Sequence, residues 1–410
     1  MKQLLKITFF SIFLFRFATA DAQVLPLDTV LSRIEKSNPD IQMYNAKVNA
    51  INSYAEGAKN WEAPNVGAGL WMTPYKNPTS TGSLMISIEQ NIPNQQKLKA
   101  KQDYMLSMSA EQIENKNYVK NQLFAYAKNN YYGWAILKKK LMVLKESESV
   151  IGIMIKSAEA NYSNSDGSLN MIYKTKARLA ELRSSIAMTE NEMQQKNIIL
   201  NTLMNSEKNL IFDVDTTFKI MNYEMNIPDS SQFQNNRSDL KAIEKSADIL
   251  RFKQNMELVK RKPDFGIRYS NMTPFTTGPG QFNVMGMMTI PIVPWSSKEY
   301  KANVKGLDFE INELQWKKQS IMNETSGKLG TIITSIKNSK QQIKIYNESI
   351  IPALRSNLNT SQLAYGQNKE SLFVVLDAWE ALNMARIEYL SKIEQLLYQQ
   401  VEYEKELEQK

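Results

Sequence analysis

Two periodicities alternate along this chain, and each occurs twice. From Ser371 onward apolar side chains recur every three or four residues: Leu372, Val375, Trp379, Leu382, Tyr389, Ile393 and Leu396, with Arg386 the one interruption. Such a stripe predicts a helix packed side by side with others. Between residues 65 and 72 the period is two: Val66, Ala68, Leu70 and Met72 share one face, Gly67, Gly69 and Trp71 the other. That alternation predicts a strand. Read through, the pattern predicts a first repeat over 23–204: helix 28–62 with Asp28 as its cap, strands 65–72 and 83–90, a long helix 94–163 and a return helix 168–204. A bridging segment, 205–237, carries aromatic, Asp and Pro residues and little helical signal. The series then returns over 238–410: helix 238–262, strands 264–270 and 282–290, long helix 296–366, return helix 371–407.

The recurrence is a duplication. Residues 38–72 lie over 237–271 without a gap, so that Asp40 meets Asp239, Pro64 meets Pro263 and Gly67 meets Gly266. Residues 161–185 lie over 364–388, pairing Tyr162 with Tyr365, Ser168 with Ser371, Leu169 with Leu372 and Arg183 with Arg386. Matching order and spacing over so long a span indicate one ancestral unit used twice.

At 1.5 Å per residue each long helix reaches roughly 105 Å, beyond any globular core. Pro352 inside the second is expected to bend it. The strands are membrane length, and Pro, Gly, Thr and Asn dominate the loops joining them. Phe265, Ile267 and Tyr269 oppose Gly266, Arg268 and Ser270, again one apolar face and one of small and polar residues. This suits a lipid-facing wall with Gly67, Gly69 and Arg268 toward a wet interior. Residues 284–290 are apolar on both faces, and their register is open. Four strands cannot close a barrel, so a membrane role requires oligomerisation.

Composition narrows the function. No internal run approaches the roughly 20 apolar residues of a spanning helix. At the N-terminus Lys2 and Lys6, the apolar ITFFSIFLF (7–15) and small residues at 18–22 read as a secretory signal, 1–22, cut after Ala20 or Ala22. Cysteine and histidine are both absent. That removes the thiol nucleophile, the imidazole base, the commonest zinc ligands and a cysteine-borne lipid anchor. An enzyme would have to work with carboxylates, Lys, Tyr or Ser. The net charge of +8 is spread among interleaved acids, as in KKKLMVLKESE (138–148), which argues against a nucleic-acid footprint. Neither a cofactor nor a metal centre is indicated. The 21 methionines raise soft Cu(I) or Ag(I) as ligands, but Met85, Met285, Met287 and Met288 read first as wall-packing residues.

The order of these features resembles the TolC-type outer-membrane efflux proteins. The resemblance is carried by SRIEKSNPDI (32–41), by the strand-opening Pro64 and Pro263, and by YGQNKESLFVVLDA (365–378), and it spans essentially the whole chain after the signal. The stretches 83–101 and 285–302 are similar to the heavy-metal efflux branch. The resemblance implies a mainly α fold with a small membrane β part: a homotrimer whose twelve strands form one outer-membrane barrel above an α-helical periplasmic tunnel. It implies a passive exit duct in outer-membrane lipid, without enzyme activity. A periplasmic adaptor and an inner-membrane pump of the resistance–nodulation–division type are its implied partners. The adaptor would meet the tips at Ser165, Asp166, Gly167 and Ser168 and at Asn368, Lys369, Glu370 and Ser371. Glu370 stands where the family usually has Gly. Asp377 matches an aperture aspartate, while Val374 occupies a neighbouring aspartate position. The competing reading is a periplasmic adaptor, but that class has one helical hairpin and a separate β-rich domain, whereas this chain has two hairpins.

Overall fold

In a computed structural model of the chain, the described residues are 24–77, 80–163, 168–223, 235–291, 293–367 and 369–408. The signal, 1–22, lies outside them. Strand β1 (Val24–Leu25) precedes helices α1 (Leu27–Ser37) and α2 (Pro39–Gly57), strands β2 (Asn65–Trp71) and β3 (Ser83–Ile92), and helices α3 (Gln95–Ser163) and α4 (Leu169–Leu203). After β4 (Asp213–Val214) come α5 (Ser238–Val259), β5 (Asp264–Pro274), β6 (Gln281–Thr289), α6 (Pro294–Ile345), a π-helical turn (Tyr346–Ile350), α7 (Ile351–Gly366) and α8 (Leu372–Leu407).

Three local results differ from the sequence reading. The region 28–62 is two helices, because Pro39 cannot donate to the preceding turn and Asn38 caps the new helix by accepting from the Asp40 amide at 3.0 Å. Asp28 is not the cap of α1; Pro26 holds that position and Asp28 lies in the first turn, where a carboxylate suits the helix dipole. Pro352 does not simply bend its helix. Its missing N–H would have served the Glu348 carbonyl, and the ladder widens into the π turn at 346–350 before resuming. The sequence also gave no sign of the β1–β4 pair, a parallel bridge of two residues that joins Val24 to Asp213 and Leu25 to Val214.

The helices form one wall with α3 at its centre. Toward the sheet its order is α2, α3, α5, α6; at the far end it is α4, α3, α8, α7. Cores run along the wall. The far end packs Ile151, Met154 and Ile172 against Leu376, Trp379 and Leu382. A middle layer joins Val30 and Ile34 of α1 to Tyr131, Trp134, Leu200 and Phe212. The four strands make a separate antiparallel sheet in the order β2-β3-β5-β6. Among the described residues no helix is long and apolar enough to cross a membrane.

Candidate functional site

The sheet comes first, because its register fixes which side chains share a face. Ala68 pairs with Ile86, Leu70 with Leu84 and Val66 with Ile88. Ile88 in turn pairs with Tyr269, and Tyr269 with Val284. Since partners in a ladder point the same way, one face carries Val66, Leu70, Ile86, Ile88, Phe265, Ile267, Phe282, Val284 and Met288. All of these are exposed, Val66 at 70% and Phe282 at 71%. The opposite face carries Asn65, Gly67 and Gly69 on β2, Ser83, Ser87 and Glu89 on β3, Arg268 and Ser270 on β5, and Asn283 on β6.

The open register of 284–290 is thereby resolved. Val284, Gly286 and Met288 lie with the apolar set, Met285 and Met287 with the polar one. Arg268, Gly67 and Gly69 sit together on the polar face. The sequence reading missed Glu89, whose Oε2 accepts from Arg268 Nη2 at 2.5 Å and Nε at 2.9 Å. Only the strand register could have revealed that pair. A side chain on Gly67 would press on Ser87 Oγ at 3.2 Å, whereas Gly69 has open space. Where the sheet meets the helices, Lys97 at the start of α3 contacts Asp264 at the start of β5 at 2.5 Å.

At the far end the helix ends that flank the two hairpin turns lie side by side. Ser165, Asp166, Gly167 and Asn368 are outside the described residues. Ser168 and Ser371 cap α4 and α8 without side-chain hydrogen bonds. Lys369 donates its amide to the Ala364 carbonyl at 2.9 Å, closing the turn after α7, and Glu370 is exposed. The repeats are tied here by Tyr365, whose hydroxyl accepts from Asn161 Nδ2 at 2.7 Å. The Lys174 ammonium sits 3.8 Å from the Phe373 ring centre, and Arg178 bridges to Glu380 at 2.9 Å. Asp377 projects from this end of α8, exposed, with Val374 half-buried nearby.

The middle of the wall holds the buried charges. Arg237 donates to Glu406 at 2.5 Å and to Asp239 at 2.7 Å. Burial alone would lower its pKa, but the two carboxylates outweigh that and raise it. Burial raises the Glu408 carboxyl, against the opposing hydrogen bond from Ser238. Glu404 accepts from Lys128 at 2.6 Å and from Tyr223 at 2.7 Å. Lys128, Tyr223, Ser238, Glu404 and Glu408 edge a pocket of about 700 Å³ between α1, α3 and α8. Among the described residues no cluster of His, Cys, Asp or Glu could hold a metal ion.

A helical wall thus continues into a four-stranded sheet with one bare apolar face and one polar face. Over 93% of its length the chain shares the fold of CusC, at TM-score 0.77 and 15% identity, covering 91% of that chain. It likewise matches VceC of Vibrio cholerae (TM-score 0.71, 13% identity, 93% of this chain and 95% of that one) and CmeC of Campylobacter jejuni (0.73, 12%, 93% and 85%). Residues 30–206 match the family described as outer membrane efflux protein. No curated protein matches the chain.

Proposed function

We propose that this protein is the exit duct of a tripartite efflux system, a homotrimer standing in the outer membrane and reaching into the periplasm. The observation that carries the proposal is the two-faced sheet continuous with a wall of long helices. β2 and β6 are antiparallel edge strands, so copies added edge to edge keep one alternating ladder, and three copies give twelve strands. Closure removes the unpaired edges, which lipid cannot solvate. The apolar face then meets lipid, and Gly67, Gly69 and Arg268 line the lumen. In this reading 1–22 is the export signal, the two repeats, 23–204 and 238–410, are the halves of one subunit and 205–237 bridges them. The turns at 165–168 and 368–371 meet a periplasmic adaptor, coupled to an inner-membrane pump of the resistance–nodulation–division type, and Asp377 edges the tip aperture. Purified protein in a planar bilayer should give stepwise conductance and a trimer mass in detergent. A monomer without conductance would sink the proposal.

Metal cations as cargo form a second reading, supported by Met85, Met272, Met285 and Met287 on the polar face. Thioethers favour soft cations such as Cu(I). A deletion strain should then lose copper or silver tolerance before it loses detergent or antibiotic tolerance. The reverse order would set this cargo aside.

A further inference from the structure

Helix α6 carries an aromatic stripe that nothing among the described residues covers. Trp295, Phe309 and Trp316 are 80%, 64% and 76% exposed, and Phe309 and Trp316 are one heptad apart. At 100° per residue they lie opposite the side of α6 that buries Leu307 and Thr325, where α5 packs. They therefore point along the wall and out of its edge. The other edge of the same half of the wall is α2. It leaves Met43 and Tyr54 exposed at 55% and 70%, with Ala46, Ala50 and Gly57 between or beside them. One edge offers large rings and the other a face with small residues in its middle.

The duplication supplies the way these edges meet. Within the chain α3, from the first repeat, packs against α5, from the second. Its equivalent in an assembly is α6 of one copy against α2 of the next. The counterpart of each α3 residue lies 201 positions on, as Pro93 and Lys97 correspond to Pro294 and Lys298. The counterpart of each α5 residue lies 199 positions back, as Asp239 corresponds to Asp40. In the chain Ser246 of α5 donates to Glu111 of α3 at 2.5 Å. Carried over, Asn312 stands level with Lys47 of the neighbour. Because the helices are antiparallel, Phe309 then falls level with Ala50, Trp316 with Met43 and Ala302 with Gly57. The register derived from an unrelated polar contact brings the two exposed stripes face to face. Connectivity agrees, since α2 leads into edge strand β2 and α6 leaves edge strand β6.

We infer that Phe309 and Trp316 of α6 form the seam between subunits by seating on Ala50 and Met43 of α2 in a second copy of this chain, in the register of the internal α3–α5 contact. This rests on the oligomeric duct proposed above and adds its contact residues. The in-chain version of the contact is tied by a hydroxyl and a carboxylate, whereas the version between copies is aromatic. Assembly is thus driven by burying rings that the lone subunit leaves in water.

The absence of cysteine makes the test direct. Phe309→Cys with Ala50→Cys, and separately Trp316→Cys with Met43→Cys, should give disulfide-linked dimer and trimer bands on oxidation. The two positions of each pair lie on opposite edges of one subunit and cannot join within it. Ala50→Cys with Trp316→Cys, about 10 Å out of register, should remain monomeric on the denaturing gel. Phe309→Asp should weaken assembly at least ~10-fold while leaving the helical circular dichroism unchanged. Linking of the out-of-register pair instead, or of no pair in protein that still has a trimer mass, would overturn the seam and leave the duct standing. A monomer mass for the unaltered protein would overturn both.

Discussion

The helical wall and the four-stranded sheet dispose of their apolar side chains in opposite ways. Ile136, Ile151, Leu376 and Leu396 in the wall are almost wholly buried, while Ile86, Val284 and Phe282 in the sheet are bare on a face that no other described residues cover. Charges differ in the same sense. Arg237 is interred with Glu406 and Asp239, whereas Arg268 and Glu89 meet on an open surface. The wall is folded against water by ordinary core packing. The sheet has no core of its own, and its sidedness suits the proposed setting, with lipid against the apolar face.

Substitutions can break that contrast, beginning with the largest expected effect. Arg237→Ala should destabilise the wall by about 3–5 kcal/mol, since it leaves the Glu406 carboxylate buried without its partner. Arg268→Ala in the sheet should cost no more than about 1 kcal/mol, because its pair is solvent-accessible. Denaturant melts of the two variants side by side would read the difference. Leu376→Ala should cost about 2–5 kcal/mol by opening a cavity. Ile86→Ala should have far less effect in detergent, where no packed protein surrounds it. Ile86→Lys should cost about 2–4 kcal/mol once the protein is in a bilayer, while Ser87→Lys, one residue along and on the other face, should insert normally. Insertion assays on liposomes would sharpen the comparison, and equal failure of both would blur it.

Smaller effects are expected at the far end of the wall. Tyr365→Phe removes the acceptor for Asn161 and should cost about 1 kcal/mol, measured as a lower melting temperature. Acid should act weakly nearby. The hydrogen bond from Arg386 holds the Glu146 carboxyl below its ordinary value of 4.5. That contribution is complete above about pH 4.5 and fades as pH falls through the lowered folded-state value. Arg386→Gln should therefore melt below the unaltered protein at pH 7 and converge with it in strong acid. Because Glu146 is largely exposed, the gap should be small.

Much of this contrast was legible in the residues. The period-two runs 65–72 and 264–270 declared both faces of their strands, since alternation is a purely local signal. Glu89 was not legible as the partner of Arg268, because the pair depends on a register between strands 179 residues apart. The β1–β4 bridge was invisible for the same reason, being two residues long and held by a distant partner. The break at Asn38–Pro39 was readable, because an Asn before a Pro is a helix-starting signal, but the helical pattern on either side masked it. The aromatic stripe of α6 was present in the spacing of Phe309 and Trp316. Its meaning needed the fold, which leaves both rings exposed at the edge of the wall among the described residues.

Single cysteines placed along β6 from 283 to 288 test the central claim most directly, in protein reconstituted into liposomes and exposed to a membrane-impermeant thiol reagent. Cysteines at 283, 285 and 287, on the polar face, should label readily, and those at 284, 286 and 288 should resist until the bilayer is dissolved in detergent. Uniform labelling of all six, or the opposite alternation, would contradict a sheet whose apolar face lies in lipid and whose polar face lines a water-filled duct.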